Sequence, residues 1–210
     1  MRETMHRFAR SFVGRNLIMT AVCALAYLLQ VSVMPYISIG GVTPSLLWIM
    51  LAIMVVGFGK NRSFWCGAMY GIVLQSVMPT TSIVSLMMYP LITIVAGLLF
   101  ADKSHQQLEQ RRAQGRSDRN ASPLLRTPVC CAVMTFLYNV VNISYIYLRG
   151  TDVTGDHLMR GLLHMVLTTL LCLLLMFPIR YLLGLRYNRL ERKQAVKYEN
   201  AVPKPKGGRI

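Results

Sequence analysis

The polar residues inside the apolar stretches of this chain are the ones whose types and spacing could do chemistry. Asn139 and Asn142 are three positions apart, so they share one face if the segment is a helix. Gln75 is a third amide in an earlier apolar stretch. Such amides either hydrogen-bond to a neighbouring helix, which is their commoner role, or bind a ligand. We therefore predict that Gln75, Asn139 and Asn142 are polar groups within the apolar helices that bond between helices or contact a ligand.

The remaining reactive side chains do not form a catalytic or metal-binding pattern. His157 and His164 are two helical turns apart, and two histidines without a third ligand do not make a metal site. All five cysteines lie in apolar stretches with no C-x-x-C spacing, which favours small core residues. Asp152 and Asp156 are typical of solvated loop acids and a helix cap. The sequence predicts no catalytic residue, no metal and no cofactor.

A second set of residues has the spacing of helix-packing positions. Gly67 and Gly71 form G-x-x-x-G, which lets two helix backbones approach closely. This glycine face either packs within the protein or docks a partner helix. Pro44 and Gly97 are further candidates, with Pro44 expected in the first turn of a helix.

Six apolar runs are the elements that must position these residues. A bilayer core of about 30 Å needs about 20 apolar residues per helix, and several runs meet this length. They do not alternate polar and apolar residues, which argues against a barrel. The sequence thus predicts an all-α integral membrane protein with six transmembrane helices in one bundle. The runs are Leu17–Met34, Val42–Phe58, Ser63–Val77, Ile83–Phe100, Pro128–Tyr147 and Leu158–Tyr181.

The distribution of basic residues predicts the orientation of this bundle. If the connections are numbered alternately inside and outside, all but two of the 23 Lys and Arg residues lie inside. The two exceptions are Arg149 and Arg160. Because basic loops stay cytoplasmic during insertion, we expect both termini in the cytoplasm of a multi-pass membrane protein. The basic residues behind the net charge of +15 then set the orientation in the membrane and attract anionic lipid. We therefore predict no nucleic-acid partner.

The same pattern divides the chain into three parts. A basic leader (1–15) precedes a membrane domain (16–183), in which a long cytoplasmic loop (101–127) separates four helices from two. A basic cytoplasmic tail (184–210) follows. Local signals predict a turn at Lys60–Ser63, a fifth helix after Pro128, and a cap for the sixth at Thr154 or Asp156. The predicted cytoplasmic basic patch is Arg186, Arg189, Arg192, Lys193 and Lys197.

The segment Thr43–Phe100 resembles the rod shape-determining protein family MreD. The family has a proline before a leucine-rich helix, a short basic turn, a helix with spaced glycines and an apolar helix ending in Gly-Leu. One departure is Gln75, where the family often has an acidic residue, so any role of that acid is in doubt here. The matching residues are Pro44, Leu46, Leu47, Gly57, Gly59, Gly67, Gly71, Pro79, Tyr89, Gly97 and Leu98.

The resemblance implies a non-enzymatic scaffold of the bacterial cell-elongation machinery. Members of this family pair with the single-span protein MreC. They help connect cytoplasmic MreB filaments to a SEDS glycosyltransferase and a class B penicillin-binding protein. The fold implied is similar to the substrate-binding component of energy-coupling-factor transporters.

That implied fold supplies the main alternative, a vitamin-binding transporter component. It predicts a polar pocket near the outer face, with Asn139, Asn142 and Gln75 as candidate contacts. The scarcity of polar residues within the helices argues against a hydrophilic ligand. The docking pair A-x-x-x-A, frequent in the first helix of such components, has no match among Ala21, Ala24 and Ala26. A membrane enzyme is a weaker alternative, because no catalytic group can be assigned.

Overall fold

The part of the chain that the structure describes, residues 12–77, 83–101, 123–150 and 154–183 of a computed structural model, is helical with no strand. A 3-10 turn at Met34–Tyr36 follows the first helix. The helices are α1 (Phe12–Ser32), α2 (Leu46–Phe58), α3 (Lys60–Val77), α4 (Ile83–Phe100), α5 (Pro123–Leu148) and α6 (Gly155–Leu182).

Three stretches within the described residues are long and apolar enough to cross a membrane: Asn16–Tyr36, Leu124–Leu148 and Gly155–Leu182. Leu46–Phe58 and Leu86–Phe100 are shorter apolar helices. Large apolar side chains cover much of the outer surface; Leu28, Leu174 and Phe177 are 61%, 70% and 61% exposed. A water-soluble monomer rarely exposes such continuous apolar surface, so these helices indicate a membrane protein.

Helix α2 is the centre of the fold. Every residue from Leu46 to Val56 is buried, and α2 contacts each of the other five helices. This explains its composition, because a helix that is apolar all round is one that is surrounded by other helices. Its 13 residues span about 20 Å at about 1.5 Å per residue, which is shorter than a bilayer core. Its length therefore does not need to match the lipid, which the outer helices contact.

The start of α2 corrects the prediction that Pro44 occupies its first turn. The helix begins at Leu46, and Pro44 is buried in the extended segment before it. The Leu46 N–H donates to Gln30 Oε1 of α1 at 2.6 Å, and the Ser45 N–H donates to Thr168 Oγ1 of α6 at 3.2 Å. The first N–H groups of a helix lack partners within it, and here two neighbouring helices supply them.

The connection between α2 and α3 is also shorter than predicted. The residues Lys60–Ser63, expected to form a turn, are the first turn of α3, and Gly59 alone separates the helices. Gly59 has a φ of 80°, a conformation that side chains disfavour, so glycine permits the reversal. Ser63 Oγ donates to the Gly59 carbonyl at 2.9 Å, which closes the junction. The two helices contact each other, as expected for antiparallel neighbours.

The other helix ends differ modestly from the predicted ones. Helix α5 begins at Pro123, so Pro128 lies inside it rather than before it, and the end of the predicted loop is helical. Pro123 is in the first turn, where proline is tolerated because the N–H groups there have no partners within the helix, whereas Pro128, the sixth residue, removes one backbone hydrogen bond. Thr154 is the N-cap of α6, and its N–H donates to His157 Nδ1 at 3.3 Å. Asp156, the other candidate cap, lies in the first turn.

Several predicted regions lie outside the described residues. These are most of the leader, residues 102–122 of the long loop, and the tail from residue 184. The predicted basic patch from Arg186 to Lys197 belongs to the last of these.

Candidate functional site

The glycine face of α3 is covered by α4. A Cβ on Gly67 would lie 2.9 Å from Thr93 Oγ1 and 3.0 Å from the Tyr89 carbonyl oxygen. A Cβ on Gly71 would lie 2.8 Å from the Leu86 carbonyl oxygen. Such distances are shorter than van der Waals contact, so only glycine fits at this crossing. Of the two roles that the sequence left open, this geometry corresponds to packing within the chain, and the face is not open to a partner.

Gly97 has the same role at the opposite end of this helix pair. A Cβ there would lie 2.8 Å from the Cβ of Lys60 and 3.1 Å from its Cα. Gly67, Gly71 and Gly97 together therefore fix the spacing of α3 and α4 along the whole contact.

Helices α5 and α6 are joined by polar side chains instead. The Asn139 amide nitrogen donates to the Gly161 carbonyl at 2.8 Å, and Asn139 Oδ1 lies 3.2 Å from His164 Nδ1. Because the Asn139 oxygen can only accept, His164 Nδ1 must carry a hydrogen. The sequence predicted that Asn139 either hydrogen-bonds to a neighbouring helix or binds a ligand, but it did not pair Asn139 with His164, since their separation of 25 positions is not a helical spacing.

A cavity of about 340 Å³ opens beside these hydrogen bonds, between α5, α6 and the segment before α2. We refer to it as the α5–α6 cavity. Its polar side chains are Thr43, Tyr138, Asn139, Asn142, His157, Arg160 and His164, and its apolar wall includes Ile143 and Ile146. The structure thus brings Asn139 and Asn142 into one cavity, together with both histidines. Sequence reasoning missed Tyr138 and Arg160, because neither has a spacing signal linking it to the amides.

One wall of this cavity is a tight glycine turn. Gly40 and Gly41 have φ angles of 61° and 74°, and an isolated bridge pairs Ile39 with Val42 across them. Two successive positive φ angles define a turn that glycine accommodates readily. A Cβ on Gly40 would lie 3.2 Å from Leu163 Cδ2, so the turn rests directly on α6.

The inner side of the cavity rests on a buried aromatic cluster. Tyr138 lines the cavity, and its ring centroid lies 5.2 Å from that of Trp48. Trp48 stacks on Tyr89 with centroids 4.4 Å apart and planes within 3°. Offset or stacked aromatic pairs hold their partners in fixed positions, so this cluster gives the cavity a rigid base.

Gln75, the third predicted pocket amide, lies elsewhere. It is half-buried on α3 and does not line the α5–α6 cavity. Its Oε1 is buried without a hydrogen-bond partner among the described residues. The prediction of one pocket holding Gln75, Asn139 and Asn142 is therefore wrong for Gln75, because α3 packs mainly against α4 and α2, whereas α6 packs against α5 and α2.

Basic side chains tie the helix ends together away from the cavity. The Arg126 guanidinium of α5 donates to the carbonyls of Phe100 and Ala101 at the end of α4, the latter at 3.0 Å. Arg180 Nη1 of α6 donates to Thr127 Oγ1 at 3.5 Å. A cation at a helix C-terminus is favourable because it satisfies carbonyls and opposes the dipole. We call this end of the molecule the basic end.

An apolar groove runs between α1 and α3, and sequence reasoning did not anticipate it. It has a volume of about 420 Å³, and nearly all of its lining is apolar. Trp65 and Met69 are 69% and 58% exposed along its edge. Tyr70 at its base donates to the Cys23 carbonyl at 3.0 Å, which joins the two helices. We refer to it as the α1–α3 groove.

Comparison with known proteins does not extend these observations: no family model, no curated protein and no solved structure matches this chain.

Proposed function

We propose that this chain is a six-span protein of the bacterial cytoplasmic membrane, with both termini in the cytoplasm, that serves as a non-enzymatic scaffold of the cell-elongation machinery. In this role it resembles the MreD family. It would link a single-span MreC-like protein, a SEDS glycosyltransferase and a class B penicillin-binding protein to cytoplasmic MreB-like filaments. The resemblance of Thr43–Phe100 to that family carries the proposal.

The structure shows what the spaced glycines of this segment do in this chain. The segment corresponds to α2, α3 and α4, which are the central helix and two of the helices that it contacts. Its spaced glycines, Gly67, Gly71 and Gly97, are positions at which a Cβ would collide with a neighbouring helix. Glycines that are required by close helix packing support our proposal that this chain and the MreD family arrange these three helices in the same way. They do not themselves specify a partner.

The arrangement of charges supports the proposed orientation. Lys60 contacts Gly97, and Arg126 caps α4, so basic residues from three helices lie at the basic end. Arg149 and Arg160 flank the connection between α5 and α6 at the opposite end. The basic end would face the cytoplasm, where filaments and the head groups of anionic lipids are found.

Because the glycine face is covered, we propose the α1–α3 groove as the contact for the single transmembrane span of an MreC-like partner. Its lining is apolar along two helices, and its edge exposes the large side chains of Trp65 and Met69. Helix association in lipid depends on close van der Waals packing, which a preformed groove provides. A lipid chain that merely fills the groove is the alternative occupant.

The test is affinity purification of the tagged protein from its native membrane, followed by mass spectrometry. Ala24 lines the groove, and Ala24→Trp would fill it. Ala21→Trp is the matched control, because Ala21 is an exposed alanine of the same helix outside the groove. We expect the unmodified chain and A21W to recover a single-span partner and wall-synthesis enzymes. We expect A24W to lose most of that partner.

Two results would count against this account. Equal recovery with A24W and A21W would remove the groove as the docking face. Recovery of paired ATPases and a membrane coupling protein, or of a tightly bound vitamin, would contradict the scaffold itself. It would support the second candidate, a substrate-binding component of an energy-coupling-factor transporter. The α5–α6 cavity favours that candidate, since it gathers two amides and two histidines in a volume suited to a small ligand.

A further inference from the structure

The α5–α6 cavity has the composition of an anion site. Arg160 contributes a guanidinium, whose planar set of N–H donors matches the oxygens of a phosphate. Asn142 contributes an amide that can donate two further hydrogen bonds. Thr154 N–H donates to His157 Nδ1, which assigns the hydrogen of the neutral His157 ring to Nε2. Among the residues that the structure describes, neither Asp nor Glu lines this cavity.

Two of the polar side chains that line the cavity are engaged with each other. Asn139 uses its nitrogen for Gly161 and its oxygen for His164. Among the other polar side chains of the lining, Arg160 and Asn142 carry the most N–H donors, so we expect them to contribute most to the recognition of a ligand. These two lie on different helices, α5 and α6, which the Asn139 hydrogen bonds join beside the cavity.

Apolar side chains lie beside the polar groups of the cavity, as expected of a site for an amphiphilic ligand, which has a polar group and an apolar chain. Ile143 and Ile146 line the cavity beside the polar groups. On the neighbouring surface, Leu158 and Leu162 of α6 are 55% and 52% exposed. A polar cavity at the end of apolar helices lies at the depth of lipid head groups, while the apolar faces below it contact acyl chains.

We propose that the α5–α6 cavity binds a phosphate group, with Arg160 and Asn142 as its principal hydrogen-bond donors. The phosphate belongs either to the head group of an anionic lipid or to a soluble phosphate ester, and both present the same oxygens to these donors. This inference does not depend on the proposed scaffold function, because it concerns binding by the isolated protein.

Isothermal titration calorimetry of the purified protein in a neutral maltoside detergent tests the proposal. The probes are dihexanoyl-phosphatidylglycerol, glycerol 1-phosphate and inorganic phosphate, and uncharged dihexanoylglycerol is the control. We expect saturable binding of at least one phosphate probe and none of the control. Binding of the lipid alone identifies a head-group site, and binding of the soluble probes identifies a phosphate-ester site. Absence of saturable binding of all phosphate probes would overturn the proposal.

Matched variants locate the binding. Arg160→Gln should weaken it by about tenfold or more, as expected for loss of a hydrogen bond to a charged group. Arg149→Gln is the control, because Arg149 lies over the Tyr145 ring, 4.7 Å from its centroid, and does not line the cavity. Asn142→Leu is a second variant at the site and should weaken binding severalfold. Equal weakening by R160Q and R149Q would mean general surface attraction and would overturn the site.

Discussion

The helix pairs α3–α4 and α5–α6 are held together in opposite ways. Between α3 and α4, glycines remove side chains, and a Cβ on Gly71 would lie only 2.8 Å from a backbone oxygen of the partner helix. Between α5 and α6, the Asn139 side chain reaches across to Gly161 and His164. The first contact leaves no space, whereas the second joins its helices through side chains and leaves a cavity beside the hydrogen bonds.

Because of this difference, the α3–α4 contact contains positions that serve packing alone, whereas the α5–α6 contact contains the candidate ligand-binding positions. A close backbone crossing is intolerant of change but offers no group to a ligand. A polar crossing costs stability if its groups lose their partners, yet it places further donors such as Asn142 and Arg160 around an open volume. In this molecule the spaced-glycine motif belongs to the first kind of contact, and the side chains that we propose to bind a ligand belong to the second.

The largest expected effect is at the glycine crossing. Gly71→Ala should destabilise the protein by about 1–3 kcal/mol, because the new methyl group must displace a backbone carbonyl. Gly155→Ala is the matched control, since a Cβ there meets nothing within 4 Å. Thermal unfolding in detergent, followed by circular dichroism, measures both. If G71A melted at the same temperature as G155A, the crossing would not be as close as described.

A smaller effect is expected at the polar crossing. Asn139→Leu removes both interhelical contacts, and such bonds are worth about 0.6–2 kcal/mol in membrane proteins. Ser144→Ala is the control, because the Ser144 hydroxyl donates to the Val140 carbonyl of its own helix at 2.8 Å. The same unfolding assay should rank N139L below S144A in stability. A variant N139L as stable as S144A would show that the hydrogen bonds do not hold α5 to α6.

Much of the helical arrangement could be predicted from the sequence. The bounds of α4 agree with the fourth apolar run, Ile83–Phe100, because that run is continuous and ends in a polar segment. The start of α2 could not be predicted, since its first N–H groups are satisfied by Gln30 and Thr168 from distant parts of the chain. The short junction at Gly59 was also missed, because polar residues such as Lys60 and Asn61 are typical of turns as well as of first helical turns.

The candidate site was predictable only in part. Asn139 and Asn142 were identified because amides are rare in apolar helices, and they do line one cavity. Arg160 was predicted only to be one of the two basic residues on the outer side, because the α5–α6 contact that places it in the same cavity as Asn142 has no sequence signal. The α1–α3 groove gave no sequence signal, because apolar residues that line a groove have the same composition as residues that face lipid.

The membrane orientation underlies both the proposed scaffold and the location of the cavity, and cysteine labelling tests it most directly. In a background with the five native cysteines replaced, single variants Asn61→Cys and Arg149→Cys place a thiol at opposite ends of the bundle, both at exposed positions. A membrane-impermeant maleimide should label R149C in intact cells, and N61C only after permeabilisation. Labelling of N61C in intact cells, or of R149C only after permeabilisation, would contradict the account.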